Sequence, residues 1–267
     1  MKVVIFCGGK GTRLNEETEF KPKPLVEIGG LPIIWHIMKL YAHYGHNEFI
    51  LPLGYKGDLI KQFFLNFEKK SNDFTLNFLD DEIKIHNSHK KEDWKIHFID
   101  TGQETKTSLR LWKIKHLLQD EEDFLLTYGD GLSDVNINQT IDFHKEKRKI
   151  ITLTGIKHPS RFGIIKEKEG TIEEFNEKPK ENKWINGGFM VINKKIFDFP
   201  EIKEDKMIVD YLLPLLVQDR QVGIYKHEGF WHSMDTYRDY LELNKIYKDY
   251  EGSAPWKIWE TRNPLKR

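Results

Sequence analysis

Short runs of β-branched and aromatic residues alternate along this chain with longer stretches in which apolar residues recur at helical spacing. Each short run suits a strand buried on both faces, and each longer stretch suits an amphipathic helix. This alternation predicts an α/β fold in which helices cover both faces of a mostly parallel sheet. The predicted strands are 3–7, 48–53, 124–128 and 150–155, and the predicted helices are 33–44, 59–67, 109–118 and 137–147.

Two stretches depart from this alternation. Between residues 73 and 100 apolar residues such as Phe74, Leu76 and Phe78 alternate with polar ones, which predicts a β-hairpin insertion and then a strand over 95–99. Short strand-like runs return after residue 160, with Gly170 at a predicted turn, and indicate an antiparallel portion within 160–235. Because no internal repeat or flexible linker interrupts the sequence, we predict one domain over 1–267.

The charge balance argues against nucleic acid as a partner. Lys and Arg total 42, and Asp and Glu also total 42, so the formal net charge is 0 and no global positive field attracts a phosphate backbone. The N-terminal apolar run is too short for a secretory signal, and no window approaches the ~20 apolar residues of a membrane span. We therefore predict a cytoplasmic protein without a membrane partner, in which the single Cys7 is buried and unreactive.

A glycine-rich segment follows the first predicted strand directly. Glycines allow the backbone to approach a ligand closely and to direct amide N–H groups at phosphate oxygens. The segment is neither a Walker A loop, which requires Gly-Lys-Ser/Thr, nor a dinucleotide fingerprint, because Leu14 stands where the third glycine belongs. Arg13 and Lys23 add fixed positive charge suited to a triphosphate; a tight turn beside an unrelated surface arginine is the alternative. The residues predicted here to bind a nucleotide are Phe6, Cys7, Gly8, Gly9, Lys10, Gly11, Thr12, Arg13 and Lys23.

Two aspartates are candidates for a metal site. Asp130 lies between two glycines directly after a predicted strand, where its carboxylate would face the ligand crevice. Several phosphate charges in one site require a divalent cation, and Mg²⁺ uses one or two carboxylates together with phosphate oxygens. Asp130 alone also suits a turn, and Asp235 precedes a helical stretch, where a helix N-cap is the alternative.

The same segments, taken in order, resemble the sugar nucleotidyltransferase family, also called the nucleoside-diphosphosugar pyrophosphorylases. More narrowly, the chain is similar to the glucose-1-phosphate cytidylyltransferases. The resemblance extends over nearly the whole chain and implies a Rossmann-like nucleotidyltransferase fold with antiparallel insertions. The motifs that carry it include Lys21-Pro22-Lys23-Pro24, Gly54-Tyr55-Lys56-Gly57, Tyr128-Gly129-Asp130-Gly131, Glu177-Lys178-Pro179, Asn186-Gly187-Gly188 and Met234-Asp235-Thr236.

This resemblance implies that CTP and α-D-glucose 1-phosphate are converted to CDP-glucose and pyrophosphate, a reaction that would supply polysaccharide biosynthesis. It implies Mg²⁺ as the cofactor, with Asp130 and Asp235 as its ligands. We expect in-line attack of the sugar phosphate on the α-phosphorus, assisted by the charges of Arg13, Lys23 and Lys178.

The acceptor side follows from the same resemblance, which implies that Lys178 contacts the sugar phosphate. Asn186 and Gly188 would meet the sugar within the 160–235 portion, whereas Trp231 either stacks on the sugar or fills the core. The resemblance also implies a homo-oligomer, with a hexamer as one form. The hairpin over 73–87 and the aromatic tail over 256–259 are the candidate contacts, and packing of the tail on its own domain is the alternative.

One segment departs from the family pattern. The glucose-1-phosphate cytidylyltransferases carry Thr-Gly-Gly-Arg where this chain has Thr107, Ser108, Leu109 and Arg110. Thr107 and Arg110 persist as nucleotide-binding candidates, but the two glycines are replaced by larger residues. The alternatives are therefore the same chemistry with another nucleotide or another sugar or polyol phosphate, and a non-catalytic nucleotide-sensing subunit.

Overall fold

The computed structural model describes residues 1–11, 14, 18–86, 92–159, 164–176 and 180–260, without the side chains of 158–159, 164–166, 176 and 180–182. The predictions for Thr12, Arg13 and Lys178 lie outside the described residues. The helices are α1 (Ile33–His43), α2 (Gly57–Leu65), α3 (Phe67–Ser71), α4 (Thr107–Lys113), α5 (Ile137–Lys147), α6 (Leu213–Gln218) and α7 (Tyr237–Asp249).

The strands are β1 (Val3–Phe6), β2 (Glu27–Ile28), β3 (Leu31–Pro32), β4 (Glu48–Leu53), β5 (Phe74–Asn77), β6 (Glu82–Ile85), β7 (Lys95–Asp100), β8 (Asp123–Tyr128), β9 (Gly131–Ser133), β10 (Ile151–Pro159), β11 (Ile164–Lys168), β12 (Thr171–Asn176), β13 (Lys180–Asn193), β14 (Val222–His227) and β15 (Trp231–Ser233). A mixed sheet forms the centre of the fold, with strand order β14-β10-β13-β8-β1-β4-β7. All neighbouring pairs are parallel except those that β13 makes with β8 and β10. The prediction of a mostly parallel α/β sheet is therefore confirmed.

Strand β1 shows why the sheet needs cover on both faces. Its four residues are buried, and because strand side chains alternate between faces, Val3 and Ile5 belong to one core while Val4 and Phe6 belong to the other. The first core contains the apolar side of α1, and the second contains Leu111 from α4. Helices therefore lie on both faces, as predicted.

Strand β1 also marks the point where the strand order reverses. Its two neighbours, β4 and β8, both pair with it in parallel, and the chain extends the sheet outward on each side of it. Crevices outside the carboxyl ends of strands at such a reversal are where open α/β sheets bind ligands. A ligand-binding site is therefore expected at the loops after β1 and β8.

The predicted hairpin insertion consists of β5 and β6, whereas β7 is an edge strand of the central sheet, paired in parallel with β4. Phe78 and Leu79 at the tip of the hairpin are 86% and 94% exposed. The 160–235 portion is antiparallel only in part. Beyond β13 the chain forms short helices, including the π-helical turn Ile208–Leu212, and β14 pairs in parallel with β10.

The aromatic tail packs on its own chain, which is the alternative to a contact between subunits. Trp256 is fully buried, and its Nε1 donates to Nδ1 of His36 at 3.4 Å. Trp259 stands edge-on to Trp35, with the ring centroids 6.0 Å apart. These contacts hold the tail against α1, because packing the large aromatic rings there removes their apolar surface from water.

The ends of one predicted helix agree with the structure, and those of another differ by a few residues. The predicted helix at 137–147 is confirmed as α5, with Asn136 as an N-cap that accepts from the Gln139 N–H at 3.0 Å. The helix predicted at 109–118 instead begins two residues earlier and ends at Lys113. None of the helices in the described part of the chain has the length and apolar character that crossing a bilayer requires.

Candidate active site

The glycine-rich loop after β1 lies on a buried arginine. The guanidinium of Arg110 donates to the carbonyl oxygens of Gly8 and Gln103 through Nη2, both at 3.2 Å, and to that of Leu53 through Nη1 at 2.8 Å. Arg110 is 4% exposed, and it joins loops that follow β1, β4 and β7. A Cβ on Gly8 would lie 2.2 Å from Arg110 Cζ, so glycine at this position is required for the close approach.

The loop is also held from its sides. The Cys7 N–H donates to the Pro52 carbonyl at 3.3 Å, and the Tyr55 N–H donates to the Gly8 carbonyl at 3.4 Å. Burial raises the pKa of the Cys7 thiol well above its usual range, which agrees with an unreactive side chain. The ammonium of Lys56 donates to the backbone carbonyl of Glu19, farther along the segment that leads to Lys23.

Lys23, Asp130 and Asp235 meet at the carboxyl ends of β1 and β8. The ammonium of Lys23 lies 2.7 Å from Asp130 Oδ2 and 2.9 Å from Asp235 Oδ1. Burial lowers the pKa of Lys23, but the charges of Asp130 and Asp235 and their hydrogen bonds outweigh it, so the pKa lies above its usual value. The structure thus brings together three of the residues that the sequence predicts for the site.

Backbone pairing places the two carboxylates together although 105 residues separate them in sequence, from 130 to 235. Strands β9 and β15 are antiparallel, with Gly131 opposite Ser233, and the Met234 N–H donates to the Asp130 carbonyl at 2.8 Å. The Ser233 hydroxyl also donates to Asp235 Oδ2 at 3.1 Å. Sequence reasoning missed Ser233, although it stands only two residues before Asp235.

The helix-capping alternative for Asp235 is resolved by its neighbours. Thr236 is the N-cap of α7, and its hydroxyl accepts from the Asp239 N–H at 3.3 Å. The Asp239 carboxylate accepts from the Thr236 N–H in return, which completes a capping box. The Asp235 side chain is therefore directed at Lys23 rather than at the helix.

The three charged residues stand where two lobes of a cleft meet. One lobe, of about 210 Å³, is lined by Phe6, Gly9, Gly11, Lys23, Pro24, Gly129, Asp130 and Asp235. The other, of about 340 Å³, shares Asp130 and Asp235 and is lined further by Tyr128, residues 185–188 and Trp231. We call these the loop lobe and the strand lobe. Such an arrangement suits two ligands whose charged ends meet at the shared carboxylates.

The strand lobe contains three of the residues predicted for the acceptor side, Asn186, Gly188 and Trp231. Asn186 Oδ1 accepts from the Gly188 N–H at 2.9 Å, which leaves the amide nitrogen of Asn186 to donate into the cleft. Gly188 has φ +82°, and a Cβ there would lie 3.2 Å from the Tyr128 ring. Trp231 donates from Nε1 to the Gly187 carbonyl at 2.7 Å, so its ring forms a fixed wall of the lobe.

Tyr128 is a further polar group in this lobe that sequence reasoning passed over. Burial, with the charge of Asp130, raises its pKa to about 12, so the phenol stays protonated and can donate a hydrogen bond. Its ring lies 6.0 Å from that of Phe6, which lines the other lobe. The signal was its position immediately before the Gly-Asp-Gly motif, at the end of a buried strand.

Three predicted nucleotide-binding residues have partners within the protein. The Thr107 hydroxyl accepts from the Ile208 N–H at 2.8 Å, and Ser108 is buried with its N–H directed at the Lys206 carbonyl at 3.0 Å. Lys10 pairs with exposed Glu104 at 2.6 Å. Direct contact of Thr107, Arg110 and Lys10 with a nucleotide stays a prediction.

The donor set fits a divalent cation. Asp130 and Asp235 both reach one ammonium nitrogen, so a single cation in that position could contact an oxygen of each. Among the described residues no group of three or more His, Cys, Asp or Glu side chains forms a candidate metal cluster. Two carboxylates are what Mg²⁺ requires when phosphate oxygens and water complete its coordination.

Comparison with known proteins gives matches over nearly the whole chain. A family model described as "Nucleotidyl transferase" matches residues 2–250. The chain is 45% identical over 259 residues to a Bacillus subtilis protein named "Probable glucose-1-phosphate cytidylyltransferase", with 97% of this chain and 100% of that one covered. It is 43% identical over 262 residues to the glucose-1-phosphate cytidylyltransferase of Salmonella typhimurium, again with 97% and 100% covered.

The fold also matches solved structures. The crystal structure of HddC from Yersinia pseudotuberculosis superposes with a TM-score of 0.67 at 21% identity, and the match covers 92% of this chain and 99% of that one. At this identity the likeness concerns the fold, and it agrees with the central sheet described above.

Proposed function

Because this chain belongs to the nucleotidyl transferase family and is a nucleotidyltransferase, we propose that it couples CTP to α-D-glucose 1-phosphate, giving CDP-glucose and pyrophosphate. The observation that carries the proposal is the meeting of Lys23, Asp130 and Asp235 at the junction of two cleft lobes. The names of the two full-length relatives support the choice of CTP and glucose 1-phosphate.

In the proposed reaction an oxygen of the sugar phosphate attacks the α-phosphorus of the nucleotide. The new bond joins that oxygen to the α-phosphorus, and the bond from the α-phosphorus to the bridging oxygen of the pyrophosphate breaks. Because the attacking phosphate is already an anion, no protein base or nucleophile is required. The protein aligns two anions and compensates their charge, which is where catalysis of such transfers mostly originates.

The loop lobe would hold the nucleotide phosphates. Gly9 and Gly11 line it, and Lys23 stands at its junction with the strand lobe, near the position proposed for the α-phosphate. Bound Mg²⁺ would supply charge neutralisation for the pyrophosphate leaving group. Asp130 and Asp235 would hold that ion. Arg13 is proposed to bind the leaving pyrophosphate, on the family resemblance of its motif.

The strand lobe would hold glucose 1-phosphate. The Asn186 amide nitrogen and the Tyr128 hydroxyl are donors suited to sugar hydroxyls, and the fixed ring of Trp231 offers an apolar wall. Lys178 is proposed to contact the sugar phosphate, again on resemblance. A sugar phosphate seated here would direct its phosphate at the carboxylates that both lobes share.

The test is a substrate panel with the purified chain. CTP, UTP, GTP, ATP and dTTP are each offered with glucose 1-phosphate and Mg²⁺, and pyrophosphate release is measured while the sugar nucleotide is identified by mass spectrometry. We expect CTP to give the largest kcat/KM and CDP-glucose as product. A larger kcat/KM with another triphosphate would overturn the choice of CTP, and no turnover with any pair would favour a nucleotide-sensing subunit.

The residues in place of the two family glycines bear on this choice. Ser108 is fully buried, its backbone N–H donates to the Lys206 carbonyl, and it is not among the residues that line the loop lobe. This placement is compatible with an unchanged nucleotide approach. We also propose, on the family resemblance, a homo-oligomer, with a hexamer as one form, and a role in polysaccharide biosynthesis. The native mass in solution tests the oligomeric state.

A further inference from the structure

Lys23 donates to two carboxylates that arrive from distant parts of the chain. Asp130 is 107 residues away and Asp235 is 212 residues away, yet both accept from the same nitrogen at 2.7 and 2.9 Å. The Lys23 side chain is 12% exposed, whereas those of Asp130 and Asp235 are 31% and 27% exposed. The ammonium is thus enclosed, and the carboxylates remain open to the cleft.

We propose that Lys23 is an internal stand-in for the divalent cation, and that its ammonium must leave Asp130 and Asp235 when a metal ion takes both carboxylates. The identity of that metal rests on the proposed function, but the competition does not. One ammonium and one divalent ion cannot both lie within hydrogen-bond distance of the same oxygens without strong mutual repulsion. Lys23 therefore opposes metal binding until it has another anionic partner.

The charges at the site give the direction of the effect. Two carboxylates and one ammonium leave a single negative charge for an incoming divalent ion, whereas the carboxylates alone offer two. A nucleotide phosphate in the loop lobe would give the ammonium a new partner and restore both carboxylates to the metal. Since such coupling is reciprocal, nucleotide and metal each raise the affinity for the other.

The local structure allows the ammonium to move while its backbone stays in place. Lys23 begins the one-turn helix Lys23–Leu25, with Pro22 before it and Pro24 within it, and these prolines restrict the backbone. Its Cβ lies close to Gly11, only 3.3 Å from where a Cβ on that glycine would be. The flexible stem can therefore carry the ammonium from the carboxylates towards the loop lobe without unfolding the turn.

Binding of Mn²⁺ to the full chain in the absence of nucleotide tests the proposal by calorimetry. Lys23→Met removes the ammonium while keeping an apolar stem, and we expect it to bind Mn²⁺ about tenfold or more tightly than the natural chain. Lys23→Arg keeps the charge and is expected to bind as weakly as the natural chain. Equal affinity of Lys23→Met and the natural chain, or weaker binding by Lys23→Met, would overturn the proposal.

Matched variants and a second readout keep the result interpretable. Lys39→Met removes a lysine from the remote pair with Glu92 and should leave Mn²⁺ affinity unchanged, whereas Lys23→Met combined with Asp130→Asn should lose the gain. Without the ammonium the two carboxylates repel each other, so Mn²⁺ should raise the Tm of Lys23→Met more than that of the natural chain. An equal or smaller rise in Tm contradicts the proposal even if the variant is unstable.

The outcome is independent of the substrate panel. If the natural chain produces CDP-glucose but Lys23→Met does not gain Mn²⁺ affinity, only the stand-in role of Lys23 is contradicted. Conversely, if Lys23→Met gains Mn²⁺ affinity but the natural chain turns over no substrate pair, the competition between Lys23 and the cation is supported. The proposed reaction is then contradicted.

Discussion

Arg110 lies directly beneath Gly8, with Nη2 3.2 Å from the glycine carbonyl oxygen. Burial lowers the pKa of Arg110, but a guanidinium remains charged throughout the working pH range. The described contacts of the guanidinium include the Thr101 hydroxyl as well as backbone carbonyls. The positive charge of Arg110 therefore lies on one side of the loop, where it would attract an anion bound to the loop amides on the other side.

Gly8→Ala should lower the thermal stability of the protein, because its new Cβ would lie 2.2 Å from Arg110 Cζ. Gly9→Ala is the matched control, since nothing lies within 4 Å of a Cβ placed there. We expect a loss on the order of 1–3 kcal/mol for Gly8→Ala, typical of overpacking, against little change for Gly9→Ala. Denaturant unfolding measures both, and equal stabilities would contradict the fit between Gly8 and Arg110.

Arg110→Met should destabilise the protein by about 1–3 kcal/mol, because the buried carbonyls of Leu53 and Gly8 each lose a charged donor. It should also raise the KM for the triphosphate, since the loop loses both its support and the charge beneath it. Arg110→Lys keeps the charge but not the fork of donors, so we expect an intermediate result. A stability loss with an unchanged KM would restrict Arg110 to a purely structural role.

Asp235→Asn should lower kcat by about 10²–10³-fold, the size expected when one preorganised charged group is lost. The neighbouring Thr236→Ala removes the N-cap of α7, so it should cost about 1 kcal/mol of stability while kcat changes little. Steady-state kinetics and chemical unfolding on the two variants separate the roles. A large fall in kcat for Thr236→Ala alone would mean that the cap, rather than the carboxylate, controls the site.

His36 should make folding stability fall in acid. Its Nε2 donates to the Ile28 carbonyl at 2.9 Å, and burial lowers the pKa of this imidazole from 6.5 to about 4. Above pH 6.5 the imidazole is neutral in both states and contributes no pH dependence. Between pH 6.5 and about 4 the unfolded chain binds a proton that the folded chain does not, so stability falls by up to about 1.4 kcal/mol per pH unit.

His36→Asn removes that titration, and the free energy of unfolding should then fall less steeply over the same pH range. His43→Asn, at an exposed position of the same helix, is the control and should keep the slope of the natural chain. Denaturant titrations at several pH values give the slopes. Identical slopes in all three proteins would show that other groups account for the acid sensitivity.

Much of the fold could be predicted because buried parallel strands appear in sequence as continuous apolar runs. Strands β1, β4 and β8 lie within one residue of their predicted ends, and Lys23 meets Asp130 as their positions after β1 and β8 suggest. Asp235, which only the family resemblance implied for the site, lies beside them. The position of the aromatic tail could not be read, since a tryptophan suits a partner surface and the chain's own core equally well.

The hydrogen-bond partners of Arg110 could not be predicted from the sequence either. Its guanidinium is held by carbonyl oxygens, which every residue possesses, so no side-chain pattern marks its partners. The pairing that brings Asp235 beside Asp130 likewise depends on the register of two short strands, with Gly131 opposite Ser233. Backbone acceptors and strand register arise from the tertiary structure, and local periodicity does not encode them.

The contact between Trp256 and His36 spans 220 residues of sequence, and this separation has a consequence for biogenesis. While the chain emerges from the ribosome, helix α1 exposes an apolar surface, because Trp256, whose indole covers it in the native state, has not yet been synthesised. Contacts of such high sequence separation form late and slow the acquisition of the native state. Nascent chains of this protein should therefore remain sensitive to protease, and dependent on chaperones, until Trp256 has left the ribosome.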